Sequence, residues 1–364
     1  MPSVAGLGHT PVHGPARRRP VVPRVSALIP AHNYARFVGD AIESVLGQDY
    51  PGEIECIVVD DGSTDRTWEV VSAYRNRGVR AFRQENLGQA AALNRAFRCC
   101  KGDIICFLDA DDVWLPGKVA AVVEAMLADP RIGLVHHAVQ TTGPGDEPLP
   151  CFTEDGPKAR GDVSRQMWRR VLRWMFSPFS TLCLRRPVAE LVFPLVTSMR
   201  GNADDLIAPC AGLLAPVAYL PERLVRYRVH GDNMWAVREA SRRLGEEVAG
   251  LFTPRVDARA HPRDLNRLPE PERYCRVLEE KTRQANRVLE RARIPGRLSP
   301  WADWTYLKTR GAEDPWRSGL RAVAAAWELK GLPHWERMAL ALRLVRRMAK
   351  HRVRRAWARR GGES

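Results

Sequence analysis

Two acidic stretches carry side chains able to hold a polar, charged ligand. Ile57-Val58-Val59 runs into Asp60-Asp61-Gly62-Ser63-Thr64-Asp65, and Ile104-Ile105-Cys106-Phe107-Leu108 runs into Asp109-Ala110-Asp111-Asp112. Grouped carboxylates accept hydrogen bonds from a ribose and give oxygen ligands to a hard divalent cation such as Mg²⁺ or Mn²⁺. Gly201-Asn202-Ala203 leads into another acidic pair, Asp204-Asp205, ahead of an apolar run. Carboxylates in that place suit the first turn of a helix, where the dipole favours negative charge.

The elements that must position these groups follow from the apolar runs. Short continuous apolar runs read as strands buried on both faces, hence as a parallel sheet covered by helices. Strands are expected at Val25–Ile29, Ile54–Val59, Val79–Arg83, Ile104–Leu108 and Ile132–Val139, with helices at Tyr34–Leu46, Asp65–Asn76, Gly88–Cys99 and Leu115–Leu127 between them. Ser63 or Thr64 is expected to cap the second helix. Farther on come a helix at Gln166–Met175, a strand at Ser180–Leu184, a helix at Ala203–Leu214, and two strands at Val217–Leu220 and Leu224–Val229. Open parallel sheets bind ligands outside the carboxyl ends of their strands, which is where both acidic stretches fall.

Four motifs in order, Val25-Ser26-Ala27-Leu28-Ile29-Pro30-Ala31-His32-Asn33-Tyr34, Val58 to Asp65, Asn86-Leu87-Gly88-Gln89-Ala90-Ala91-Ala92-Leu93-Asn94 and Phe107 to Trp114, make the stretch from Val25 to about Met126 resemble the core of family 2 glycosyltransferases. The likeness weakens after residue 126 and is nearly gone beyond 250. It implies a GT-A fold: a Rossmann-like α/β domain with a mostly parallel central sheet flanked by helices. It also implies an enzyme that moves a sugar from a nucleoside-diphosphate sugar to an acceptor hydroxyl, with inversion and with Mg²⁺ or Mn²⁺.

By the same resemblance, Asp111 binds the metal while Asp109 reaches the ribose or shares the ion, with Ala110 between them in the nucleotide-sugar site. Asp60 or Asp61 contacts the nucleotide while the other is structural, and Pro30, Ala31, His32 and Asn33 wall the pocket. Asn86 and Gly88 stand at a helix start, where free backbone N–H groups favour anionic partners. Family members place the general base on an acidic residue opening a helix after a Gly-containing loop, usually as Glu-Asp before an aromatic. Asp204 or Asp205 fills that role here, and alignment with the acidic pair favours Asp204. In Tyr227-Arg228-Val229-His230-Gly231, similar to a Tyr-Arg-x-His-Gly segment of bacterial members, His230 binds the diphosphate, sits in the metal's shell, or is structural. The rival from another class is a catalytically silent sugar-nucleotide or polyanion binder on the same fold.

Composition bounds the rest. Residues 1–24, rich in Pro, Gly and Arg, read as a disordered leader without the apolar segment of a secretory signal. Residues 25–235 form the expected transferase domain, with a nucleotide-sugar half at 25–130 and an acceptor half at 131–235, and 236–364 a basic helical C-terminal region. Cys56, Cys99, Cys100, Cys106, Cys151, Cys183, Cys210 and Cys275 lack metal-ligand spacing, so zinc is not indicated. No run of apolar residues is long enough for a transmembrane helix, and a cytoplasmic protein, peripheral on the inner face of the cell membrane, is expected.

The net charge of +15 is concentrated at the end of the chain, where ten basic residues from Arg337 to Arg360 face only Glu336 and Glu363. A helix at about Trp335–Trp357 would gather Met338, Ala341, Leu342 and Val345 on one side and Arg343, Arg347, Lys350 and Arg354 on the other. Such a helix suits an anionic membrane surface, or packs on its own protein with a solvated back. No nucleic-acid motif accompanies the charge, and nucleic acid is not expected as a partner. The expected partners are the nucleotide-sugar donor and a glycan or lipid-linked acceptor.

Overall fold

The computed structural model describes residues 22–143, 145–149, 158–170, 176–230, 270–300, 315–330 and 332–346. Its first strand, β1 (Val25–Ala31), is buried along its whole length, as an apolar run covered on both faces must be. α1 (Val38–Leu46) buries Val38, Ala41, Ile42 and Val45, one stripe at helical spacing. β2 (Ile54–Asp61) extends through both members of its acidic pair. α2 (Thr67–Ala73), β3 (Arg80–Gln84), α3 (Gln89–Cys99), β4 (Ile104–Phe107), β5 (Val113–Trp114), α4 (Lys118–Ala128) and β6 (Leu134–Thr142) continue the alternation. Next come α5 (Ser164–Arg170), β7 (Cys183–Arg185), α6 (Arg186–Val192), α7 (Asp204–Leu214) and β8 (Val217–Arg228). The last described helices are α8 (Glu270–Arg291), α9 (Pro315–Glu328) and α10 (334–346).

One eight-stranded sheet runs in the order β3-β2-β1-β4-β7-β6-β8-β5. β3, β2, β1 and β4 are parallel, as the βαβ alternation requires. Beyond β4 the sheet is mixed: β7 is antiparallel to both β4 and β6, β6 and β8 are parallel, and β5 pairs antiparallel with β8. The alternation ends at β6, and the chain returns through a 3-10 turn at Phe179–Thr181 to send β7 back between β4 and β6.

Several local expectations are corrected. The two strands expected between Val217 and Val229 are one strand, β8, kept continuous past a register shift opposite Ala138. α6 was not expected, because its seven residues are too few for a clear period. Ser63 and Thr64 do not cap α2; the Ser63 hydroxyl accepts the Asn33 N–H, and the Thr64 N–H donates to Asn33 Oδ1. Asp65 instead takes the Thr67 N–H and hydroxyl. The helical pattern at Gln166–Met175 is described only to Arg170.

Alternate residues of the strands feed two cores. Ile29, Val58, Ile42, Val71, Val119 and Met126 gather under α1, α2 and α4. Leu28, Ile57, Phe107 and Leu93 gather with α6 and α7 on the opposite face. Leu278, Val288 and Leu289 of α8 and Ala325 of α9 belong to that second cluster, so the C-terminal helices share a core with the sheet.

At the amino end of the sheet, buried Glu55 ties β1, β2 and the turn before β4. Its Oε1 accepts the Ser26 hydroxyl at 2.5 Å and the Gly102 N–H at 3.0 Å, and its Oε2 lies 3.1 Å from the Arg80 guanidinium. Burial alone would raise its pKa, but Ser26, the Lys101 N–H and the arginines outweigh burial and lower it. A lowered carboxylate contributes stability above its unfolded pKa, and the contribution is lost as pH falls through the folded value. Glu55→Ala should therefore cost about 2–4 kcal/mol at neutral pH by denaturant titration. The deficit relative to the parent should shrink in acid.

Candidate active site

The cleft lies at the carboxyl ends of β1, β2 and β4. β4 leads through Leu108, whose N–H still bonds the Leu28 carbonyl, into a turn closed by the Asp112 N–H on the Asp109 carbonyl. This turn brings oxygens of Asp109, Asp111 and Asp112 within 4.8 Å of one another. Burial, and then the charge of Asp111, holds the carboxyls of Asp109 and Asp112 well above the usual range.

The three carboxylates have different surroundings. Asp112 is turned inward, where Oδ2 accepts the Ser180 hydroxyl at 2.5 Å and Oδ1 the Arg228 N–H at 3.1 Å. The same hydroxyl accepts the Asp109 N–H at 2.9 Å, and the Ser180 carbonyl takes the ammonium of fully buried Lys118. Asp112 thus fixes the turn, while Asp109 is the partly exposed member of the three and Asp111 is buried. Asp111 Oδ2 lies 3.0 Å from Nε2 of His230, whose ring stacks on Phe37 at 4.7 Å. Tyr34 and Tyr227 close this side, and Asp111 and burial, respectively, are the main causes pushing their phenols well up.

Along the wall, Pro30 and Ala31 are buried in β1, and His32 joins three segments. Its Nδ1 donates to the Asp61 carbonyl at 2.9 Å, which leaves Nε2 to accept from the Asn86 amide at 3.1 Å. Asn33 occupies a left-handed conformation, with φ of 61°, and holds the Ser63–Asp65 turn. The two acids of β2 both have protein partners. Asp61 accepts Gln84 Nε2, Leu87 N and Gly88 N, so it organises the loop before α3. Asp60 accepts the Ser63 N–H and forms an ion pair at 3.0 Å with Arg83, a half-exposed side chain at the rim.

Opposite this wall, Asp204 and Asp205 open α7. The Asp204 pKa is raised to about 7, first by burial and then by Asp205, while Asp205 is bound by Lys281 of α8 at 2.7 Å. Gln89 connects the two sides of the cleft. Its amide donates to Asp109 Oδ1 at 3.0 Å, and its carbonyl accepts the Ala203 N–H at 3.0 Å, one residue before Asp204. The backbone repeats the link through Gln89 N to the Arg200 carbonyl. Close approach here depends on Gly88, at φ +95°, because a Cβ would come within 2.7 Å of Arg200 Cα.

Residues 26–182 match the family described as glycosyl transferase family 2. An uncharacterized glycosyltransferase of Nostoc sp. is 35% identical over 234 residues, covering 63% of this chain and 72% of that protein. The chain belongs to glycosyltransferase family 2. The match to the putative teichuronic acid biosynthesis glycosyltransferase TuaG of Bacillus subtilis is 36% identical over 108 residues, 29% of this chain and 42% of TuaG. The Escherichia coli UDP-Glc:alpha-D-GlcNAc-diphosphoundecaprenol beta-1,3-glucosyltransferase WfaP is 35% identical over 103 residues, 28% of this chain and 41% of WfaP. The chain therefore spans less than half the length of these two relatives. Among solved structures, S. aureus TarS 1–349 with UDP-GlcNAc aligns at 15% identity and a TM-score of 0.47, covering 91% of this chain and 92% of that one.

In this glycosyltransferase the expected residues Asp109, Ala110, Asp111 and His230 meet at one end of the cleft, Pro30 to Asn33, Asp60, Asp61, Asn86 and Gly88 along its wall, and Asp204 and Asp205 across from them. Three further residues organise the site without having been singled out. Gln89 was legible only as part of its motif, whereas Ser180 and Lys281 carry no sequence signal. Replacing Gln89 by Leu removes both hydrogen bonds across the cleft. Glycosyl transfer should fall about tenfold to a hundredfold in kcat/KM, about 1.4–2.8 kcal/mol of transition-state stabilisation. Gln89→Glu, which adds a carboxylate beside Asp109, should fall further, with circular dichroism unchanged in both.

Proposed function

We propose that this glycosyltransferase moves a sugar, with inversion, from a nucleoside-diphosphate sugar to a hydroxyl of a cell-surface or lipid-linked glycan. The observation that carries the reading is the pair Asp109 and Asp111 in one carboxylate cluster, with Asp109 linked through Gln89 to the residue before Asp204. A cluster of three carboxylates that offers only oxygen donors fits a hard divalent cation. Asp109 and Asp111 would hold Mg²⁺ or Mn²⁺, which when bound neutralises charge on a departing diphosphate. Asp204, its pKa raised toward neutrality, takes the acceptor hydroxyl's proton as that oxygen attacks the anomeric carbon. His230 orients Asp111, and the wall from Pro30 to Asn33 with Asp60 and Arg83 receives the base and ribose. The names of TuaG and WfaP, a teichuronic acid enzyme and one acting on a diphosphoundecaprenol sugar, support an acceptor of this class.

The same reading places the enzyme at a membrane surface. Among the described residues, no helix is long and apolar enough to cross a membrane. α10 has two apolar faces. Leu332, just before it, and Ala341 and Leu344 within it are buried, whereas Trp335 (60%), Met338 (46%), Leu342 (51%) and Val345 (46%) are exposed at helical spacing. Arg343 and Arg346 flank the outer stripe, an arrangement suited to anionic headgroups. The part of the predicted helix beyond residue 346, including Arg347, Lys350 and Arg354, lies outside the described residues.

Two measurements test the proposal. Nucleoside diphosphate release should be followed over a panel of UDP-, GDP- and dTDP-sugars with Mg²⁺ or Mn²⁺. Asp111→Asn should reduce release at least a hundredfold with the fold intact, and full activity of that variant in chelator would remove the cation from the scheme. The second is co-sedimentation with phosphatidylglycerol-containing liposomes. Replacing Trp335, Met338, Leu342 and Val345 together by Ser should abolish salt-sensitive binding without unfolding, since all four are exposed. Equal binding by the two proteins would assign the contact elsewhere.

A further inference from the structure

We propose that Lys281, on α8, is a positioning residue that leaves Asp204 as the base by binding its neighbour Asp205. The inference rests on the reading of Asp204 given above and adds the device that separates the two carboxylates. Lys281 is only 7% exposed, and its Nζ lies 2.7 Å from Asp205 Oδ1. Among the described residues, Asp204 has no ion pair. The ammonium occupies Oδ1 of Asp205 with a charge-assisted hydrogen bond, so that oxygen is not open to an acceptor hydroxyl. Asp204, without such a contact, is the member left to meet the acceptor hydroxyl.

The lysine is held where it must be. Gln284, less than one turn farther along α8, accepts the Val196 N–H at 2.9 Å and donates to the Val192 carbonyl at 2.6 Å. Arg291 donates to the Leu191 carbonyl at 2.9 Å and to the carbonyls of Glu190 and Phe193, and Glu280 accepts the Ser198 hydroxyl. These bonds fasten α8 to the segment that leads into Asp204. Among the described residues, the charged and titratable groups that act on the pair are Lys281 from α8, Asp109 from the turn after β4 and Tyr227 from β8, with Cys210 on the next turns of α7, and Lys281 is the one cation in that group. Adjacent carboxylates in a desolvated site do not both ionise readily, and without a cation they would share a proton near neutral pH. Lys281 lowers the pKa of Asp204, opposing burial and Asp205, which raise it.

The test is a ¹³C NMR titration of the full chain labelled at the Asp side-chain carboxyl, with the Asp204 signal assigned through Asp204→Asn. In Lys281→Met the Asp204 midpoint should move up by about one pH unit or more. In Asp205→Asn it should move down, and the double variant should lie above Asp205→Asn, because the lysine also acts on Asp204 directly. Gln284→Leu, which frees α8 from the 192–196 segment without touching the charges, should lower thermal stability and move the Asp204 midpoint up by less than Lys281→Met does. An unmoved midpoint in folded Lys281→Met overturns the proposal. Should that variant not fold, a midpoint that stays or rises in Asp205→Asn overturns it as well. If the midpoints move as described but Asp204→Asn keeps full turnover, the charge separation stands and the choice of base fails. Loss of turnover in Asp204→Asn with an unmoved midpoint in Lys281→Met leaves Asp204 as the base and removes the role of Lys281.

Discussion

Three carboxylates lie within 4.8 Å of one another at the exit of a strand that is itself fully buried. Like charges at that distance in a poorly solvated turn repel, and the turn persists only if neighbouring groups hold it. Much of the surrounding architecture answers to this. The Ser180 hydroxyl bridges Asp109 N and Asp112 Oδ2, the β8 backbone donates to Asp112, and His230 meets Asp111. β7 runs against its neighbours because the chain must return past β4 to deliver Ser180 beneath the turn. The mixed half of the sheet serves the acidic turn as the parallel half serves the wall.

A second charge problem sits across the cleft and has a different solution. At β4 the carboxylates are held by hydrogen bonds from Ser180, β8 and His230, whereas at α7 Asp205 is met by Lys281 from within the chain. Gln89 is neutral and can face both environments, donating to the acidic turn and accepting from the base loop. A charged residue in its place would favour one side at the expense of the other. The amide therefore links the two sides without adding a net charge to either, while its hydrogen bond favours the ionised form of Asp109.

Much of this was legible in the sequence where signals are local. Apolar runs gave β1, β2 and β4, the last two running into Asp and so marking the acidic turn, because buried parallel strands have one composition and ligands gather at their carboxyl ends. The interplay of Asp204 and Asp205 with the rest was not legible, since Lys281 lies 76 residues from Asp205 and an isolated lysine on a helix looks like any solvated charge. Asp60 and Asp61, adjacent and alike in sequence, are separated only by what each meets: Arg83 and Ser63 for one, and the 84–88 loop for the other. β7 and α6 were blurred because three- and seven-residue elements are too short to show a period. In α10, the sequence pattern combined inward and outward apolar residues into one stripe, which only packing could divide.

The fastening of α8 to the base loop also bears on how the molecule comes into being. During synthesis the wall, the acidic turn and α7 leave the ribosome before α8, and they can begin to pack as the parallel unit closes. Until residues 281–291 emerge, Asp205 lacks its cation and the 190–198 segment lacks the side chains that hold its carbonyls and amides. A nascent chain would thus complete the wall along β1 and β2 first and the loop before α7 last. Transfer activity would then arise only after the C-terminal helices have docked, so that partly made chains stay inert.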